Sequence, residues 1–246
     1  MKLFNEQKLI PNKMNFRKIC MSKIILSILF LLVIQSINAQ QGEEVLIFQV
    51  DGNNYVKKNY NKIGELLDYQ IIKIGKVRKN DEQNTMSIRL YNYDKSGNLL
   101  DSSRTKYICN PKDSQLQMNI FSFAFLSANK TLMLKAKDNS NLYPIKWEVG
   151  KKMPDVLFTA EIDGGAISAF GGGGEVKIYD RSVTSYDNSN DWYQISSKLR
   201  INVYAYGVRL KTIDYFFKET VSPQKGIIAQ YFKESTGEYF TIKLKQ

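Results

Sequence analysis

The chain has 246 residues, a formal charge of +11 and no histidine, which excludes imidazole proton shuttling, Ser-His and Cys-His nucleophile pairs and His-ligated metals. Residues 1–40 hold six basic side chains and one acidic one, so only +6 remains on the rest of the chain. Those later lysines are scattered, with no basic run interleaved with aromatics, and nucleic acid is not an expected partner.

Residues 24–34 are apolar apart from Ser27, Lys23 precedes them, and Ile37-Asn38-Ala39 leads into Gln40. A basic region, a short apolar core and a small residue at the junction predict an export signal over 1–39 and a mature chain over 40–246. The run is shorter than the roughly 20 residues of a spanning helix, so no transmembrane segment is expected in the mature chain. Ile37 is larger than the residue usual three before a cut, which leaves an uncleaved anchor as the alternative. Met14 and Met21 are alternative starts. Cys20 lies ahead of the apolar core, where it cannot serve as a lipoprotein's acylated cysteine. Cys109 is then the one cysteine of the mature chain, unable to form an internal disulfide.

From residue 43 the pattern predicts a first strand to Val50, closed by a turn at Asp51-Gly52-Asn53-Asn54. Residues 57–67 are polar, with Ile63, Leu66 and Leu67 at loosely helical spacing, and read as a short helix or a loop. Strand character returns over 69–77, and again where Met86, Ile88 and Leu90 alternate with Ser87, Arg89 and Tyr91. Asp94-Lys95-Ser96-Gly97 reads as a hairpin connection to a strand over 98–109. Asn110-Pro111 breaks that strand. Residues 116–125 alternate again, with Phe121, Phe123 and Phe125 in a strand or a short helix, and Leu132, Leu134 and Ala136 share a face.

Residues 143–154, with two prolines and a glycine, predict an extended segment crossing between two halves of the sheet. A strand follows over 156–162, and the glycines of 163–174 read as a hairpin loop. The clearest strand spans 192–203: Tyr193, Ile195, Ser197, Leu199, Ile201 and Val203 fall on one face, while Gln194, Ser196, Lys198, Arg200 and Asn202 fall on the other. Further strands are expected over 175–184, 209–218, 226–233 and 239–244. The prediction is an all-β fold: a single antiparallel, barrel-like or strongly curved sheet.

No catalytic, cofactor-binding or metal-binding residue is expected. The glycine run precedes a strand pattern, whereas a phosphate loop opens a helix. Asp187-Asn188-Ser189-Asn190-Asp191 resembles the start of a calcium loop, but Trp192 and Lys198 stand where that loop needs Gly and Glu, so a turn is expected. Ser127…Lys130 and Ser222…Lys225 match Ser-x-x-Lys without a helix to carry it.

Several short stretches together resemble the TapB family of exported bacterial envelope proteins, which are largely β and of unknown function. They are Tyr93-Asp94-Lys95-Ser96-Gly97-Asn98-Leu99, Cys109, Tyr143-Pro144 with Val149-Gly150, the strand from Asp191 to Ser196, and Gly226-Ile227-Ile228. The resemblance implies fold and location and no activity. It also implies that relatives carry a second cysteine where this chain has Trp192. If that cysteine pairs in relatives, the resemblance places the indole beside Cys109. Two functions remain open: binding of an apolar or amphipathic ligand in a curved sheet, or docking of an unidentified envelope component through an edge strand or loop, in the periplasm or outer envelope.

Overall fold

The computed structural model describes residues 50–79, 82–110, 131–137, 143, 147–163 and 173–245. All of them belong to one compact unit, Gly42–Gln246. The described elements are thirteen strands: β1 (Asn54–Tyr60), β2 (Leu66–Ile74), β3 (Arg78–Lys79), β4 (Asn84–Asp94), β5 (Leu99–Cys109), β6 (Thr131–Ala136), β7 (Lys152–Met153), β8 (Val156–Asp163), β9 (Gly173–Asp187), β10 (Trp192–Ala205), β11 (Val208–Ser222), β12 (Gly226–Glu234) and β13 (Tyr239–Leu244). The export signal, the strand expected over 43–50 except for Val50, the alternating stretch 116–125 and Ser127…Lys130 lie outside the described residues.

Eleven strands close into a ring in the order β10-β11-β12-β13-β1-β2-β4-β5-β6-β8-β9, and β9 pairs back to β10. β3 continues the edge of β2 along β4, and β7 continues the edge of β8 along β9. Gly75 makes the first continuation possible, because its N–H reaches Ser87 O at 2.8 Å and a Cβ there would stand 2.5 Å from Ser87 Oγ.

The all-β, barrel-like expectation holds, with one departure from a purely antiparallel sheet: β5 and β6 run parallel. Parity requires it. In a ring of eleven strands, alternating directions cannot close on themselves, so at least one neighbouring pair must be parallel. A parallel pair also needs a crossover of a dozen residues or more, and the chain supplies residues 110–130 between these two strands.

Chain reversals put the turns 61–65, 94–98, 206–207 and 235–238 at one end of the ring. The turns 188–191 and 223–225 and residues 147–155 fall at the other. Each turn has a local cause. Asp94 Oδ1 accepts from the N–H groups of Ser96 and Asn98 at 2.9 Å, and Gly97 takes the positive φ of 94°. Tyr206 and Gly207, at φ 53° and 73°, form the two-residue turn whose twist suits a hairpin.

Two expectations fail. The polar stretch from residue 57 is neither helix nor loop at its start, because β1 runs to Tyr60 and buries Lys57 inside the ring. Residues 143–154 do not cross between halves of the sheet either. β6 and β8, which they join, are hydrogen-bonded neighbours, so the segment leaves and re-enters the ring at one place. On the way it covers the end: Gly150 N–H donates to Val183 O at 2.8 Å, β7 pairs with Arg181 and Ser182, and Trp147 stacks on Tyr193 at 5.1 Å.

Candidate functional site

A ring of eleven strands is wider than the eight-stranded barrel whose interior side chains just fill it. Here one half is filled by large groups. Tyr55, Tyr107, Phe158, Phe217 and Phe232 are all at most 1% exposed, with Ile72, Met86, Ile88 and Val156 between them. A bulge in β9 adjusts this packing. Asp180 adopts φ 51° and the register against β10 slips between Ser196 and Lys198, so that Val176 and Ile178 face inward before the bulge and Arg181 and Val183 after it.

The filled end holds a polar cluster. Glu219 Oε1 accepts from the Tyr143 hydroxyl at 3.0 Å and from Gln230 Nε2 at 2.8 Å, and the Arg181 guanidinium donates to Pro154 O at 2.9 Å. Burial pushes the Glu219 carboxyl up to about 7, while Gln230, Arg181 and Tyr143 pull it back. Tyr143 thus pins the end-covering segment to the barrel interior.

At the other end the ring opens into a pocket on one side. The inward positions of β1, β2, β4 and β5 change there from apolar to polar: Ile72 gives way to Gln70 and Asp68, Leu90 to Asn92, and Asp101 stands opposite Asn92. Together with Tyr215, Glu234 and Phe240 on β11, β12 and β13, they line an open pocket of about 530 Å³ that also includes Leu67, Leu100 and Glu238.

Two cross-strand amides hold the carboxylates in place: Asn59 Nδ2 donates to Asp68 Oδ1, and Asn92 Nδ2 donates to Asp101 Oδ1. Lys57 forms part of the floor, with Nζ 4.2 Å from the centre of the Phe240 ring. Its burial pulls the ammonium down to about 7, against the opposing pull of Asp68. Tyr215 meets Phe240 edge-on at 5.9 Å, and burial, with Glu234 and Glu238 adding to it, pushes its phenol up to about 12. A stack of Phe217, Phe232 and Phe240, at 4.2 and 4.6 Å, continues the aromatic floor into the filled half. The wall combines aromatic faces with four carboxylates and one lysine.

The residues singled out from sequence fall elsewhere. Asp187 accepts from Ser189 N–H and Asn190 Nδ2 at 2.9 and 2.8 Å, and Asp191 accepts from the Tyr186 hydroxyl at 3.1 Å, so this stretch is the β9–β10 turn. Ser222 Oγ accepts from the N–H groups of Gln224 and Lys225 in the β11–β12 turn. Gly173 and Gly174 open β9.

Cys109 is buried on β5 and Trp192 opens β10, with β6, β8 and β9 between those strands. Four strand steps amount to about 19 Å along the wall, against the ~7 Å a disulfide tolerates. The inferred juxtaposition of Cys109 and Trp192 is therefore overturned, and with it that part of the alignment to the TapB pattern.

The mouth residues escaped sequence reasoning, yet a signal was present. Asn92 continues the inward series Met86, Ile88, Leu90, and Gln70 and Asp68 precede Ile72 and Ile74 at the same parity. Polar residues on an otherwise apolar face mark where the core stops.

No family model and no curated protein matches the chain. Two of the solved structures that resemble it are bacterial. One is a Bacteroides fragilis protein described as exported with a YmcC-like fold, 16% identical, with a TM-score of 0.45, covering 80% of this chain and 95% of that one. The other is a Parabacteroides distasonis protein described as a lipoprotein, 13% identical, with a TM-score of 0.47, covering 82% of this chain and 98% of that one.

Proposed function

We propose that this chain is an exported, non-catalytic envelope protein that holds a small amphipathic ligand in the hollow mouth of its barrel. The observation that carries the reading is the unequal filling of one continuous ring: packed with aromatics at one end, about 530 Å³ of space at the other. Clefts of this size with apolar walls and a few fixed polar groups are the usual form of small-molecule sites. The Phe240 and Tyr215 rings supply the apolar surface. The carboxylates of Asp68, Asp101, Glu234 and Glu238 disfavour an anionic head group and suit a neutral or cationic one. Export is supported by the apolar run 24–34 and the Ala39-Gln40 junction. Kinship with the TapB family is supported by the hairpin of residues 93–99 and weakened by the separation of Cys109 from Trp192.

Docking of envelope components by strand addition has less support. Val208–Ile213 of β11 is an overhanging edge, since the first bonds toward the β12 side are made at Asp214 and Tyr215. That edge carries Arg209, Lys211 and a bulge at Leu210, the features by which natural edges block pairing.

Native mass spectrometry of the full chain purified from its own envelope tests the proposal. One small molecule retained per chain and released on unfolding is expected; a bare chain overturns it.

A further inference from the structure

Of the eleven exposed large apolar side chains among the described residues, seven lie at the open end of the barrel. They sit on three separate turns: Ile63 and Leu67 about the β1–β2 turn, Leu99 and Leu100 after the β4–β5 turn, and Tyr206, Val208 and Leu210 at the β10–β11 tip. At that tip the three side chains are 68%, 62% and 66% exposed. Scattered apolar residues need no explanation, but a concentration on one end does.

On its β12 side the tip stands clear, since β11 has no β12 partner before Tyr215. Its charges are one-sided: Arg209 and Lys211 are exposed beside the apolar residues, while the nearby Asp214 is already engaged by Arg200 Nε at 2.7 Å. The bulge at Leu210 opposes strand addition at this edge, so the tip is poorly built to recruit another chain through its backbone.

We propose that the β10–β11 hairpin inserts its tip into an anionic lipid surface. Apolar side chains would enter the boundary between head groups and acyl chains, and Arg209 and Lys211 would lie at the phosphate level. Each such cation is worth roughly fivefold in affinity for an anionic membrane. The inference stands apart from the ligand in the mouth, although both use the same end of the barrel.

An environment-sensitive fluorophore tests it. The label is placed at Val208→Cys in a full-length Cys20→Ser chain, where Cys109 stays buried, and compared with the same label at Asn188→Cys in the turn at the opposite end. Vesicles of phosphatidylcholine with phosphatidylglycerol should shift the Val208 label to the blue and leave the Asn188 label unchanged. Pure phosphatidylcholine should give a smaller shift, and Arg209→Gln with Lys211→Gln should remove the difference between the two vesicle types. An unresponsive Val208 label, or equal responses at both ends, overturns the proposal. A blue shift that appears on concentrating the protein without vesicles assigns the tip to a second copy of the chain and overturns it too.

Discussion

Glu219 and Lys57 are both buried ionisable groups on the inner wall, and they load the fold in opposite pH windows. Glu219 has its ordinary value of 4.5 raised to about 7 in the folded chain, chiefly by burial. Between those values the folded state keeps a proton that the unfolded state has released, so this contribution is complete below 4.5 and is lost as pH rises through 7. Lys57 has its ordinary 10.5 lowered to about 7, again chiefly by burial. Its contribution is complete above 10.5 and is lost as pH falls through 7. At about 1.4 kcal/mol per pH unit, the Glu219 window carries roughly 3 kcal/mol and the Lys57 window roughly 5 kcal/mol. Urea denaturation across the pH range should therefore show stability falling from pH 4.5 to 7 and rising from 7 to 10.5. Glu219→Gln should flatten the lower limb alone, and Lys57→Met the upper limb alone. Limbs of unchanged slope in these variants would show that the two groups do not set the profile.

β10 shows what alternation alone can specify. Ile195, Leu199 and Ile201 are buried, and Lys198 and Arg200 are exposed and salt-bridged to Asp180 and Asp214, as the two-residue period requires. Ile201→Ala should cost about 2–5 kcal/mol through lost burial and the cavity left behind, whereas Lys198→Ala should leave the unfolding midpoint essentially unchanged. Equal losses from the two faces would contradict the one-sided assignment. β1 shows where alternation misleads. Lys57-Lys58-Asn59 is polar at inward and outward positions alike, because Lys57 and Asn59 line the mouth, so nothing in the local pattern separates the strand from a loop. The bulge at Asp180 was equally hidden. Its inward residue is Arg181, a side chain that period-two reading assigns to solvent.

At the scale of the whole molecule, number and closure decide what individual strands cannot. Sequence periodicity located ten of the thirteen described strands, all but β1, β3 and β7, and the barrel-like class, but strand order depends on contacts between distant segments. The parallel β5–β6 pair follows from the odd count of the ring and not from any local residue. The same count gives a ring wider than the eight-stranded barrels that side chains just fill, and its described residues pack aromatics at one end and line an open pocket at the other. That unequal filling is the centre of this account, and saturable binding of a neutral amphipathic fluorophore, N-phenylnaphthylamine, tests it most directly. The wild-type chain should bind one probe. Gln70→Trp, which places an indole in the mouth, should abolish binding, and Ser197→Val in the filled half should leave it intact. Binding that survives Gln70→Trp, or a wild-type chain that binds none, would contradict it.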